Sequence, residues 1–387
     1  MTTTVSPAAM ADAVFTNARI VLPDEVLTGT VSIRDGLIAD VSAGPSRAGE
    51  DFGGDWLLPG LVELHTDHLE SHYAPRPGVR WNPLSAVQAH DAQIAASGIT
   101  TVFDALRIGT DFEAKLDGHD MRRLADAIEA GVAGDRLRAD HFIHLRCEVG
   151  APDSLEAFAL FEADPRVRLA SLMDHTPGQR QFASLEHWRA YYQAKNSLTD
   201  AAFEEMLAAR IERAARHAEA HRQAIAERCR AAGIVIASHD DATAAHVAES
   251  IEHGVAVAEF PTTLAAAEAA RAGGLSILMG APNVVRGGSH TGNVSASDLA
   301  AAGLLDILSS DYVPFSLIHG AFLLTGPDAG LTVPDAIALV SRNPAEAVGL
   351  TDRGAILPGR RGDVIRVRLD HEVPLVRGVW RTGRRVS

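Results

Sequence analysis

Short runs of Val, Ile, Leu and Phe recur through the middle of the chain, each followed by polar residues or by Gly and Pro. Eight stand out: Leu57 to Leu64, Thr100 to Phe103, His141 to Val149, Val167 to Met173, Ile234 to Ala237, Val255 to Phe260, Leu275 to Met279 and Leu304 to Leu308. Ala-rich stretches with helical spacing lie between most of them, so the middle predicts parallel βα units. Eight such units are what a (β/α)8 barrel requires. The ends read differently. Val14 to Val21 predicts a strand, and Val31 to Ile33 and Leu37 to Val41 flank Arg34-Asp35-Gly36, a hairpin signal. Gly362 to Leu369 and Val379-Trp380 before Gly383 are similarly β-rich. The expectation is an α/β fold: a TIM barrel over 57–351, with a small β-sandwich domain assembled from 1–56 and 352–387. Thr199 to Ala232 is the longest helical pattern, too long for one ordinary barrel helix, and predicts an insertion or a break.

Length and composition agree with this. A barrel of about 250 residues plus a satellite fits a chain of this size, here 387 residues. Apolar residues at 47% and charged residues at 22% exclude a disordered chain. Fifty acidic against 35 basic residues leave −15, which argues against nucleic-acid or anionic-membrane partners but not against a local basic pocket. Cys147 and Cys229 make neither a disulfide framework nor a CxxC knuckle. The first residues carry no signal-peptide pattern, and no apolar run approaches the ~18 residues of a spanning helix. The cytoplasm is the expected compartment, and a homodimer the expected assembly on frequency alone.

Histidine changes the picture, because the 17 imidazoles are not scattered evenly. Side chains at the carboxyl ends of barrel strands converge on one face. The first run ends in His65-Thr-Asp67-His-Leu-Glu70-Ser-His72, where His65 and Asp67 share a direction by the two-residue strand period. Glu148 ends the third run, Asp174-His175 the fourth, His239-Asp240-Asp241 the fifth and Asp311 the eighth. One such residue is more simply a polar loop start. The whole set, in order and in phase, predicts a metal centre with N/O ligands suited to Zn²⁺, Mn²⁺ or Fe²⁺.

Arg76, Arg80, Arg107, Arg146, Lys195 and Arg286 follow or line the same strand ends. Arginine forks suit phosphate oxygens, and Gly287-Gly288-Ser289-His290-Thr291 could supply backbone N–H groups to an anion. Surface pairing with the abundant carboxylates is the plainer reading of any single Arg. His217 and His221 are four apart on the long helix, where a solvated face is expected over a metal clamp. No P-loop or GxGxxG fingerprint occurs, and the four Trp residues read as packing.

Leu58-Pro59-Gly60-Leu-Val-Glu-Leu-His65-Thr-Asp67 resembles the first strand of the amidohydrolase superfamily. Gly98-Ile-Thr-Thr-Val-Phe-Asp104, Asn343-Pro344-Ala345 and Gly359-Arg-Arg-Gly-Asp363 resemble its later landmarks. His65-Thr-Asp-His-Leu-Glu70, Pro75-Arg-Pro-Gly-Val-Arg-Trp81, His90-Asp-Ala-Gln93, His144-Leu-Arg-Cys-Glu148, Ser238-His-Asp-Asp241 and Arg286-Gly-Gly-Ser-His-Thr-Gly-Asn293 resemble one member family. That family is the α-D-ribose 1-methylphosphonate 5-triphosphate diphosphatases of phosphonate metabolism. The first strand departs from the superfamily's commoner His-x-His by reading His-x-Asp.

The resemblance implies that His65 and Asp67 are first-strand ligands, Glu148 the bridging acid, and His175 and His239 the later histidine ligands, to one or two ions, with zinc first and Mn or Fe as alternatives. It makes Asp311 the residue that handles the proton and also touches metal. Asp240 and Asp241 stay open between supporting a ligand and capping a helix. Arg76, Arg80, Arg107, Arg286, Ser289 and His290 are the expected contacts to a phosphorylated sugar. The implied reaction is hydrolysis of a 5-triphosphate to pyrophosphate and the 5-phosphate. Hydrolysis of an amide, N-acyl group or cyclic ureide is the rival, because a shared centre does not specify substrate. A non-catalytic scaffold would predict eroded ligands, and these are intact.

Overall fold

A computed structural model describes residues 12–110, 116–176, 180, 199–288, 293–327, 329–371 and 373–387. Five strands open the chain: β1 (Ala13–Val21), β2 (Val26–Arg34), β3 (Leu37–Ala43), β4 (Glu50–Asp51) and β5 (Trp56–Pro59). The barrel follows as β6 (Leu61–Thr66), β7 (Ile99–Ile108), β8 (Asp140–Glu148), β9 (Val167–Met173), β10 (Val235–His239), β11 (Val257–Glu259), β12 (Ser276–Gly280) and β13 (Ile307–Ser309). These eight are parallel neighbours in chain order. Thr66 bridges Asp311, and the Ser309 hydroxyl donates to the His65 carbonyl at 2.6 Å, which brings the last strand against the first. Val62, Leu64, Phe103, Leu169, Ala237, Val257, Leu278 and Ile307 share one buried cluster, so the barrel is a packed core rather than a pore.

Each of the eight apolar runs overlaps one barrel strand. The first run, however, is two strands in two sheets. Pro59-Gly60 divides it, leaving β5 with the terminal sheet and β6 in the barrel, so the expected boundary at 56/57 falls inside β5. A Cβ on Gly60 would lie 2.3 Å from Thr100 Oγ1, so only glycine lets the chain pass this close to β7.

The terminal sheet is completed by β14 (Val364–Asp370), β15 (Val373–Arg381) and β16 (Arg384–Arg385). Its order is β16-β15-β14-β5-β1-β2-β3, with β4 beside β1. The expected sandwich is therefore one mostly antiparallel sheet curled over a common core. Val31 of β2 and Trp380 of β15 share that core, and the Phe15 and Trp380 rings meet at 4.7 Å. Arg353, Arg361 and Arg381 all reach Asp140 at the start of β8, at 2.8, 2.6 and 3.3 Å. They tie the C-terminal segment to the amino end of a barrel strand and leave the carboxyl ends free for chemistry.

The long helix has no break. It runs unbroken over Asp200–Ala232, 33 residues, with the Thr199 hydroxyl accepting from the Ala202 N–H and Gly233 closing it at φ +68°. Its second half buries Ile225, Ala226 and Cys229, while most of its first half is exposed apart from buried Phe203 and Arg210. His221 is not solvated as expected. It is buried and its Nδ1–H donates to the Val149 carbonyl at 3.1 Å. No helix among the described residues is long and apolar enough to cross a membrane.

A buried charge network lies between β7, β8 and the helix Pro83–Ala96. His141 Nδ1 donates to Asp104 at 2.7 Å and Nε2 to Asp91 at 3.3 Å. Burial alone would lower the imidazole's pKa, but the two carboxylates more than offset it and raise it from 6.5 to about 10. Its stabilisation is therefore complete below the ordinary value and disappears as pH rises toward 10. His141→Leu should cost about 3–5 kcal/mol in denaturant unfolding at neutral pH, because two carboxylates stay buried without their cation. A loss below 1 kcal/mol would remove the ion pair from this account.

Candidate metal centre

Six strand ends supply the site. His65 at the end of β6 is 1% exposed, and its Nδ1–H donates to Glu259 of β11 at 2.7 Å. Burial lowers the His65 pKa, but Glu259 reverses this and holds it above the usual value. Glu259 in turn accepts from the Ser171 hydroxyl at 2.7 Å and faces His239 Nε2 at 3.8 Å. Burial opposes its charge, yet His65, His144 and His239 keep the carboxyl well below its ordinary range. His239 at the end of β10 donates from Nδ1 to Asp240 at 2.8 Å. One ring thus stands between two carboxylates.

Beside it, His175 donates from Nδ1 and from its backbone N–H to Glu148, at 2.6 and 3.2 Å. Burial would raise Glu148, but His175 and Arg107 pull it down to about 2. Donor atoms of His65, His239 and Glu259 lie within 4.8 Å of one another, and so do those of His175, His239 and Asp240. The His175 and His239 rings are 5.5 Å apart.

Asp311 follows β13. Its N–H donates to the His65 carbonyl at 3.1 Å, which sets it over the first strand. Burial, then the charge of Asp67, raise its carboxyl to about 6, a value suited to taking up a proton near neutral pH. Past the carboxyl ends of the barrel strands, three non-glycine residues are left-handed: Asp240 at φ +59°, Phe260 at +55° and Asp311 at +54°. Aspartate tolerates this; phenylalanine rarely does. The turn at Phe260 sets its ring 5.1 Å from His65 and 5.4 Å from His239, an apolar wall against both imidazoles.

A cavity of about 230 Å³ opens over the cluster, with His65, His175, His239, Asp240 and Asp311 at its base. Arg146, Arg286, Asn283, Asn293 and Tyr312 bring polar and cationic groups to its sides. The expected residues divide accordingly. His65, His175, His239, Arg286 and Asp311 meet at the cavity. Glu148 stands behind His175. Asp67 lies just past β6 at the start of the helix His68–Tyr73, bound to Arg146 at 3.2 Å and outside the imidazole grouping. Arg107 is 3.8 Å from Glu148. Arg76 and Arg80 do not line the cavity; both are exposed, and Arg80 is drawn to Asp120 at 3.3 Å. Lys195, Ser289, His290 and Thr291 lie outside the described residues. Asp241 serves packing: it pairs with Arg180 and accepts from Ser250.

Glu259 is not among the expected ligands, although it is the next-to-last residue of the sixth run, as Glu148 is of the third. The same strand-end test that selected Glu148 selects it. His144 and Ser171 sit inside strands, four and two residues before the ends, where position in the sequence gives no such cue. Buried imidazole nitrogens and carboxylate oxygens converging at this spacing are the donor chemistry of a divalent transition-metal site.

Comparisons with known proteins agree with the geometry. The amidohydrolase family model matches residues 56–386. The α-D-ribose 1-methylphosphonate 5-triphosphate diphosphatase of Escherichia coli K12 is 48% identical over 377 residues, covering 96% of this chain and 100% of that protein. A D-hydantoinase from Rhizobium radiobacter is 30% identical over 138 residues, 35% of this chain and 27% of its own. Among solved structures, N-acetylglucosamine-6-phosphate deacetylase from Pasteurella multocida aligns with a TM-score of 0.62 at 12% identity, covering 97% of this chain and 99% of that one. Dihydropyrimidinase from Brevibacillus agri aligns at 0.60, also at 12% identity, over 97% and 95%. The barrel, the terminal sheet and the strand-end donors thus have one common explanation: the chain belongs to the amidohydrolase family.

Proposed function

We propose that this chain hydrolyses the triphosphate of α-D-ribose 1-methylphosphonate 5-triphosphate, giving pyrophosphate and the 5-phosphate. The observation that carries this reading is the end-to-end match to the E. coli diphosphatase. The convergence of donors and arginines on one cavity agrees with it.

His65, His239 and Glu259 would hold a divalent ion, most simply zinc, with His175 and Asp240 completing the set or holding a second ion. When bound, such an ion lowers the pKa of water and neutralises charge on a phosphoryl oxygen. The chain's own residues do the rest. Glu259 and Asp240 fix the ring orientations of His65 and His239 through their Nδ1 atoms. Asp311 takes the proton of the attacking water at its carboxylate. Arg146 and Arg286 offer guanidinium donors to the phosphates, which a neutral cyclic amide would not need. Phe260 packs its ring against the imidazoles of His65 and His239 and holds them in place.

Arg286→Ala should raise KM for the triphosphate about tenfold or more, the scale of one charge-assisted hydrogen bond, with metal content unchanged. An unchanged KM would move the phosphate site elsewhere. The class of reaction is tested by offering the metal-loaded protein the ribose triphosphate, hydantoin and N-acetylglucosamine 6-phosphate in parallel. Pyrophosphate release with no amide cleavage is expected. Efficient amide cleavage with no pyrophosphate would overturn the proposal.

A further inference from the structure

A second group of imidazoles lies outside the cavity. His68 and His72 stand on the helix His68–Tyr73, and His90 on the helix Pro83–Ala96. One nitrogen from each lies within 4.8 Å of the other two. The His68 and His72 rings are 4.9 Å apart, and His90 is 6.0 and 5.9 Å from them. His90 is fully buried, with no exposed surface, and His68 and His72 are half-buried.

Hydrogen bonding fixes the role of one nitrogen of the central ring. Asp104 is ionised against His141, and its other oxygen is 2.8 Å from His90 Nε2. A carboxylate can only accept, so Nε2 carries a proton, and in the neutral ring Nδ1 is the lone-pair acceptor. That Nδ1 is buried and has no hydrogen-bond partner among the described residues. Nδ1 of His68 and Nε2 of His72 are likewise buried and unpartnered. No hydrogen bond satisfies these three nitrogens, although one nitrogen of each ring lies within 4.8 Å of the other two. An electrophile satisfies all three at once. The Asp104–His90 pair is also the arrangement by which a carboxylate orients a ligating imidazole.

We propose that His68, His72 and His90 form a second binding site for a divalent transition metal of the zinc class, separate from the strand-end centre. Tetrahedral bonds of about 2.0 Å place donors about 3.3 Å apart, so the trio closes on an ion by small side-chain movements. Three imidazoles leave a fourth position for water or another oxygen ligand. The ion would join the helix that begins directly after Asp67 to the helix Pro83–Ala96. It would thereby hold the first turn beyond β6 in place.

The test is crystallographic and does not depend on turnover. Crystals of the full chain, stripped with chelator and soaked in Zn²⁺, are measured on both sides of the zinc absorption edge. An anomalous peak among His68 Nδ1, His72 Nε2 and His90 Nδ1 is expected. It should vanish in His72→Phe, with zinc per chain in solution falling by one ion. His68→Asn gives the same readout should His72→Phe fail to fold. No peak at the trio while the strand-end centre is filled would overturn the proposal. An equal peak in a variant lacking one of the three rings would overturn it too.

Discussion

Asp311→Asn is expected to lower kcat by about 10²–10⁴-fold, the range for loss of a positioned general base, while the purified protein keeps its metal. The substitution preserves the backbone link to His65 and the side-chain volume, and removes only the ability to take a proton. Asp311 must be ionised to act, and its carboxyl is raised to about 6 by burial and by Asp67. Activity therefore falls as pH drops through that value. An ion bound at the neighbouring imidazoles favours the ionised form and moves the fall to lower pH, not higher. Asp311→Asn should abolish this acidic limb. Wild-type turnover in the variant, or the same limb at a lower plateau, would assign the proton to another group.

Glu259→Gln is expected to weaken metal binding by about 10–100-fold or more, the cost of losing a group that orients ligands. The carboxylate is buried with His65, Ser171 and His239 around it, so the amide cannot leave and cannot replace the charge. Its NH₂ group also turns a donor toward atoms that were themselves donating. Turnover should fall with occupancy and recover in part at high Zn²⁺, and metal titration followed by calorimetry reads both. Undiminished affinity would mean that Glu259 only packs.

Much of this was legible in the chain. Parallel strands buried on both faces are written as continuous apolar runs, so all eight appeared. The polar residues ending them mark one face of the barrel, where His65, His175, His239 and Asp311 line one cavity. What was hidden depended on contacts between distant residues. Glu259 lies one residue from the end of its run, as Glu148 does, but its role is defined by its partner His65, 194 positions away. Pro59-Gly60 read as a landmark within one strand, yet it divides two sheets, because pairing partners decide sheet membership and β14 claims β5. His90 and Asp104 lie in separate motifs, and their pairing requires the helix Pro83–Ala96 to pack on the barrel wall. Arg76 and Arg80 are close in sequence to the first strand end, but neither lines the cavity, and Arg80 pairs with Asp120.

The central claim is that this metal centre breaks a phosphoanhydride bond of a ribose 5-triphosphate. It is tested most directly by following the metal-loaded protein with α-D-ribose 1-methylphosphonate 5-triphosphate by phosphorus NMR. The account predicts pyrophosphate and the 5-monophosphate appearing together in equal amounts. Orthophosphate with a 5-diphosphate, or an intact triphosphate in a protein shown to hold its metal, would contradict it.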